Sequence, residues 1–266
     1  MQDMASTPAP SLPTSVPQTP APADPLPKRV ALWRGVDVAL MSAGVIGLVI
    51  VGTLILTLVF GRRLGIRQNA ARPSVEFTLA VLALEFGAIM LSVWLLGLVR
   101  RGIRWADIGF VRTSGYWVAR AIGLFVALRI IVIAIVALLA ALGFTSTQAQ
   151  ALAPNGFSWV GAIGNSLLAG ILVPIAEETF FRGVLYRWLR DKWGMVAGAL
   201  ISGLIFGAAH FEPATVVPAI LLGVVLALVY ERSRSLWPSI IIHALNNLSA
   251  VILLYALLGA GVRLPK

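Results

Sequence analysis

The sequence predicts an all-α, polytopic transmembrane helix bundle of about seven helices, with six to eight admissible, behind a disordered N-terminal tail. Three observations carry this. The 266 residues are 59% hydrophobic with a mean hydropathy of +0.90 and only 12% charged residues, against roughly 25% charged in ordinary soluble domains. Apolar runs recur at residues 36–60, 75–99, 117–142, 159–181, 195–210, 214–230 and 236–258, each near the ~20 residues that cross a hydrocarbon core. The basic residues fall mostly in the short gaps between those runs, as in membrane proteins with a sided distribution of charge.

Taken in order, residues 1–27 carry Pro8, Pro10, Pro13, Pro17, Pro20, Pro22, Pro25 and Pro27 among Ala, Ser and Thr, a composition that favours solvated, extended chain and cannot build a core. They read as a disordered tail. The cluster Lys28, Arg29 and Arg34 comes too late for a signal peptide, and the run after it exceeds the roughly 7–15 residues of a signal h-region, so it is expected to stay as an anchor. Residues 28–158 hold the N-terminal transmembrane helices, 159–258 the core that carries the chemistry, and 259–266 a short C-terminal tail. The fifth and sixth runs are marginal in length. Pro174 and Pro218 lie inside runs, where membrane helices tolerate proline, so they predict kinks.

With simple alternation, one side receives Lys28, Arg29, Arg34, Arg100, Arg101, Arg104, Arg112, Arg182, Arg187, Arg190, Lys192, Arg232 and Arg234. The other receives Arg62, Arg63, Arg67, Arg72, Arg263 and Lys266. The richer side is expected to be cytoplasmic, with the N-terminus in and the C-terminus out; the four arginines after the first helix oppose this locally. The expected location is an integral, multi-pass protein, in the plasma (inner) membrane if the source is prokaryotic. A net charge of +10 with this placement is a topology signal, so no nucleic-acid partner is expected, whereas membrane lipids are. With no cysteine there is no disulfide framework, thiolate metal site or cysteine nucleophile.

The chemistry-bearing residues concentrate in Ala176–Tyr186, Ala-Glu-Glu-Thr-Phe-Phe-Arg-Gly-Val-Leu-Tyr. Ionisable groups inside a membrane segment are costly and mark functional sites by default. On a helix Glu178 and Arg182 are i and i+4, in the favourable order for an ion pair. Glu177 lies about 100° away, so it is the carboxylate left free to act as a base. A purely structural ion cluster of Glu177, Glu178 and Arg182 is the bland alternative. The two histidines of the chain, His210 and His243, each share a helix face with a residue four away, Phe206 and Asn247 respectively. Gly207, Ala208 and Ala209 beside His210 are small enough for close helix approach.

Depth brings these groups together. If the chain turns near 191–194, Glu177 and His210 lie at similar distances from the turn. His243 is only about seven residues, ~10 Å, into its helix, which fits if the fourth and fifth helices extend beyond the membrane at the basic side. The expectation is one polar cavity, open to the cytoplasmic side, lined by Glu177, His210, His243 and Asn247.

The ordered set Glu177-Glu178-x-x-x-Arg182, Phe206-x-x-x-His210 and His243-x-x-x-Asn247 resembles the three motifs of the CPBP family, the type II CAAX prenyl endopeptidases and their bacteriocin-processing and self-immunity relatives. The resemblance covers about residues 159–258. It implies an intramembrane endopeptidase in which Glu177 activates water with help from His210, His243 and Asn247 stabilise the oxyanion, and Glu178, Arg182 and Phe206 support them. It implies a peptide or protein substrate, lipidated ones included, held near the cytoplasmic face.

Peptide hydrolysis needs a base on water and donors for the developing oxyanion, and these residues meet both needs. No cofactor is favoured. Zinc on His210, His243 and Glu177 is chemically open, although the chain has no His-Glu-x-x-His. There is no Gly-x-Ser-x-Gly elbow for serine chemistry. Two other readings stay open: a non-proteolytic membrane scaffold or immunity protein, and a small-solute transporter using Glu76, Glu85, Arg120 and Arg129. For those four, positions near helix ends would permit snorkelling instead.

Overall fold

The computed structural model describes residues 31–60 and 73–264. The expected tail at 1–27 and the basic residues Lys28, Arg29, Arg62, Arg63, Arg67, Arg72 and Lys266 lie outside the described residues. The long helices are α1 (Gly35–Ile55), α2 (Val75–Ser92), α3 (Gly115–Ala141), α7 (Arg187–Ala208), α8 (Pro213–Ser233) and α9 (Leu236–Gly259). α1 and α2 continue as π-wound turns at Leu56–Phe60 and Val93–Val99. A short α4 (Gln148–Leu152) precedes α5 (Trp159–Leu167) and α6 (Val173–Phe180), which run on into α7 through π turns at Leu168–Leu172 and Phe181–Tyr186.

Six helices are long and apolar enough to cross a membrane, and the 50-residue stretch Trp159–Ala208 is one of them. At 1.5 Å per residue it would be ~75 Å long, more than twice a ~30 Å hydrocarbon core. It is two crossings. Gly194 has φ 82° and ψ 174°, left-handed backbone that a residue with a Cβ adopts only at a cost. The chain doubles back there: a Cβ on Gly198 would sit 2.9 Å from the Arg190 backbone nitrogen, so the arms on either side of Gly194 lie against each other. The protein is an integral, multi-pass helix bundle, as the sequence predicts.

Serine N-caps start four of the helices. Ser74, Ser114, Ser158 and Ser235 accept hydrogen bonds from the amides of Phe77, Trp117, Gly161 and Trp237, which satisfies donors that have no intrahelical partner. The kink expected at Pro174 has a counterpart in the π turn Leu168–Leu172 just before it, whereas α8 passes through Pro218 as one helix.

Contacts at the ends fix the alternation of the crossings. At the basic end, buried Asp37 of α1 pairs with Arg100 and Arg101 after α2. Tyr230 donates to the Ile108 carbonyl at 2.8 Å, and the Leu236 amide donates to the Gly109 carbonyl at 2.8 Å. Arg190 reaches Glu231 at 2.9 Å. At the opposite end, Tyr255 donates to the Leu152 carbonyl at 2.9 Å, and Glu212 takes hydrogen bonds from Ser146 and Thr147. α7 and α8 come close through glycine: Gly203 and Gly223 face each other, and Gly207 faces Ile220 and the Val216 carbonyl. Small residues give membrane helices this approach, and it sets the lateral position of His210.

Candidate active site

The site is assembled from α6, the π turn after it, the end of α7, and α9. Arg182 and Glu178 are fully buried and form an ion pair with Nη1 to Oε1 at 2.9 Å. Arg182 Nη2 also donates to the Gly223 carbonyl of α8 at 3.1 Å. The guanidinium carbon stands 4.7 Å from the centre of the Phe206 ring, within cation–π range. Burying such a pair is rarely a net gain, yet removing one member leaves an uncompensated charge. The pair therefore locks the orientation of α6 against α7 and α8.

His243 continues the chain of contacts. Its Nδ1 lies 2.8 Å from Glu178 Oε1 and its Nε2 lies 3.4 Å from Glu177 Oε2. Arg182, Glu178, His243 and Glu177 thus form one connected series. A carboxylate can only accept, so hydrogen-bond logic places a proton on Nδ1 and assigns Nε2 to Glu177. Glu177 differs from Glu178 in what surrounds it: its side chain is 13% exposed, against 0%, and it lines a cavity of about 910 Å³. The offset expected from helix geometry is seen, with Glu178 on the arginine and Glu177 facing the cavity.

His210 and Asn247 line the same cavity as Glu177 and His243. The first turn of the loop after α7 holds His210 with Nδ1 3.0 Å from the Phe206 carbonyl, an arrangement that leaves Nε2 as the acceptor of the neutral ring. Phe206 is 1% exposed and meets both imidazoles edge-on, with centroids 5.1 Å from His210 and 5.5 Å from His243. Asn247 spends one amide hydrogen on the Ala169 carbonyl at 3.3 Å, in the π turn, and its Oδ1 accepts from Asn246 at 3.1 Å. π turns interrupt the regular hydrogen-bond ladder and recur at functional sites. One of the two Nδ2 hydrogens of Asn247 is left over.

Two expectations need correction. The cavity is lined by Ser146, Gln148, Ala209 and Thr215 from the end opposite the basic one, and none of its lining residues comes from the basic-end turns around 104–112, 187–194 or 233–235. It therefore does not extend to the expected cytoplasmic side. Toward the basic end Tyr186, Tyr230, Leu236 and Ile240 are buried and packed together, and none of them lines the cavity. The second correction concerns Glu85 and Arg129, read as groups able to snorkel. They sit near the middles of α2 with its extension and of α3, and both line the cavity. With Asn246, they are site residues that motif spacing did not single out.

Whether these residues suit a metal can be judged from the donors. Among the described residues, no group of three or more His, Cys, Asp or Glu side chains is arranged to hold an ion. His210 and His243 share the cavity, and His243 contacts both Glu177 and Glu178.

The fold and site define a class: a multi-pass membrane helix bundle with a buried carboxylate–histidine series at one cavity. Residues 159–249 match the family model of the type II CAAX prenyl endopeptidase Rce1-like proteins, the family that the three motifs resemble. Over 87 residues the chain is 30% identical to a Bacillus subtilis (strain 168) protein named "Putative membrane peptidase YdiL", covering 33% of this chain and 36% of that protein. Over 78 residues it is 36% identical to an "Uncharacterized 24.3 kDa protein" of Escherichia coli, covering 27% of this chain and 36% of that protein. The aligned region thus spans about a third of each curated relative's length. No solved structure shows significant similarity.

Proposed function

We propose that the protein is an intramembrane endopeptidase that hydrolyses peptide bonds of a membrane-associated protein or peptide, with Glu177 as the base on water and without a metal. The observation that carries this reading is the series Arg182–Glu178–His243–Glu177, dry at one end and facing the cavity at the other. Glu177 takes a proton from a water that His210 Nε2 helps to orient, and the hydroxide attacks the scissile carbonyl. The proton crosses to His243 Nε2, making an imidazolium whose charge is balanced by Glu178. That imidazolium and the spare Asn247 hydrogen donate to the oxyanion, and His243 then returns the proton to the leaving amine. Preorganised donors of this kind commonly supply the largest catalytic term.

The reaction centre lies ~10 Å along α9 from the basic end, which the positive-inside rule reads as cytoplasmic. On this reading cleavage occurs near the cytoplasmic face, with the substrate lying in the cavity that continues toward the opposite end. The family match and the peptidase named among the relatives support a protease. The test is cleavage of a peptide library by purified protein in lipid nanodiscs, native against Glu177→Gln, which keeps shape and loses basicity. Loss of cleavage with unchanged yield and unfolding is the expected result; native-rate cleavage by the variant would overturn the assignment.

A further inference from the structure

The cavity contains a cation that the hydrolytic scheme does not use. Arg129 is the fifteenth of the 27 residues of α3, ~21 Å from the basic end at 1.5 Å per residue. It lines the cavity with Glu177, His210 and His243. Among the described residues it makes no ion pair and no hydrogen bond, and it is half-buried beside Val132 and Val136 of the same wall. A guanidinium stays charged and offers five donors in a planar fork. Holding one unpaired at the depth of an apolar helix is expensive, and intramembrane charges of this kind usually have a partner. Glu85, on α2, lines the same cavity at a similar depth, yet forms no ion pair with it among the described residues.

We propose that Arg129 is a specificity-determining residue that binds a carboxylate of the peptide substrate, holding it in the cavity about 10 Å beyond the level of His243. This rests on the endopeptidase reading. The geometry supports it in three ways. The position is on the cavity side away from the basic end, toward the lining residues Ser146, Gln148 and Thr215. That difference in depth corresponds to ~3 residues of extended peptide at roughly 3.3 Å per residue. A planar fork in an apolar surround pairs with a carboxylate bidentately and more strongly than with a neutral group.

The carboxylate can be the chain terminus or an aspartate or glutamate side chain, and the experiment separates the two. Purified full-length protein in nanodiscs is given a peptide library in four forms: free-acid or amidated C-terminus, each with acidic side chains either present or replaced by Asn and Gln. The expected result is a preference of about 10- to 100-fold in kcat/KM for a carboxylate-bearing form, the range for a hydrogen-bonded charged group. That preference falls toward one in Arg129→Gln and is partly restored in Arg129→Lys. Dependence on amidation identifies the terminus, and dependence on Asn/Gln replacement identifies a side chain.

Binding of the same peptides to Glu177→Gln protein, followed by fluorescence anisotropy, is a second readout that does not need cleavage. If cleavage fails throughout but binding still tracks the carboxylate and Arg129, the hydrolytic reading falls and this inference stands. Equal cleavage and equal binding of all four forms would overturn the inference and leave the hydrolytic reading intact. Equal loss of folding in Arg129→Gln and Glu85→Gln, with no effect on preference, would also overturn it and assign Arg129 a structural partner in Glu85.

Discussion

Replacing Arg182 by methionine tests the series at its dry end. Arg182 is fully buried, pairs with Glu178 at 2.9 Å, donates to the Gly223 carbonyl at 3.1 Å and covers the Phe206 ring. Methionine fills much of the volume but leaves Glu178 charged and buried, with Oε2 lacking any hydrogen-bond partner and only His243 on Oε1. Breaking a buried pair in this way costs about 3–5 kcal/mol. The double variant Glu178→Gln with Arg182→Met removes both charges together, and should recover more than about 1 kcal/mol of that loss, because the uncompensated carboxylate is gone. The measurement is reversible unfolding in mixed micelles for the native protein, both single variants and the double, analysed as a double-mutant cycle. Strictly additive losses, or a loss below about 1 kcal/mol for Arg182→Met, would refute the claim that the pair is electrostatically coupled in a dry site.

Other outcomes follow from the same geometry. Phe206→Ala should destabilise by about 3–5 kcal/mol through the cavity it leaves, and Phe206→Leu by less, while both lower kcat because two imidazoles lose the ring they pack on. Gly207→Val should cost about 1–3 kcal/mol, since overpacking is also unfavourable and a Cβ there would lie 2.8 Å from the Val216 carbonyl oxygen. Glu212 lies between α7 and α8; burial pushes its carboxyl up, but the hydroxyls of Thr147 and Ser146 and the Thr147 amide outweigh this and hold it below the usual range. Its folded-state value is depressed, so its contribution is present above the unfolded value near 4.5 and is lost as pH falls through the folded value. Hydrogen exchange across 146–152 should therefore accelerate below about pH 4.5, and Glu212→Gln should show that faster exchange already at neutral pH; exchange independent of both would refute the claim that Glu212 holds this segment through Ser146 and Thr147.

Much of the fold is legible because lipid-facing helices must be apolar over ~20 residues and their backbone must be satisfied within the helix. The run at 36–60 becomes Gly35–Phe60 and the run at 236–258 becomes Leu236–Gly259 for that reason. The motif residues were legible because charge in such runs is costly enough to stand out, as at Glu177, Glu178, Arg182, His210 and His243. Glu85 and Arg129 were equally costly but belonged to no spaced motif, each having only one other charged residue in its helix, Glu76 and Arg120. Their role depends on α2 and α3 packing beside α6, α8 and α9, a long-range fact with no local period. The direction of the cavity was illegible for the same reason: the packed Tyr186, Tyr230, Leu236 and Ile240 come from three separated segments. Which histidine touches which carboxylate was also beyond helix arithmetic, since similar depth does not fix the lateral position that places His243 against both.

The arrangement divides two incompatible demands between adjacent carboxylates. A base must reach water, and a charge that organises the fold must avoid it, because water screens the interactions that give it direction. Helix geometry separates Glu177 and Glu178 by about 100°, so a single turn of α6 presents one to the cavity and the other to Arg182. His243 joins them, with one nitrogen on each. The imidazole is thus held by the dry carboxylate while its other nitrogen faces the wet one, so its ring cannot rotate away without breaking the 2.8 Å contact to Glu178. On this argument Glu178→Gln should lower kcat far more than it raises KM, since it disturbs the group that carries the proton without touching the cavity wall. Single-turnover kinetics at saturating peptide measure that split. A variant that loses binding while keeping its rate would place Glu178 in substrate recognition and break the proposed division of labour.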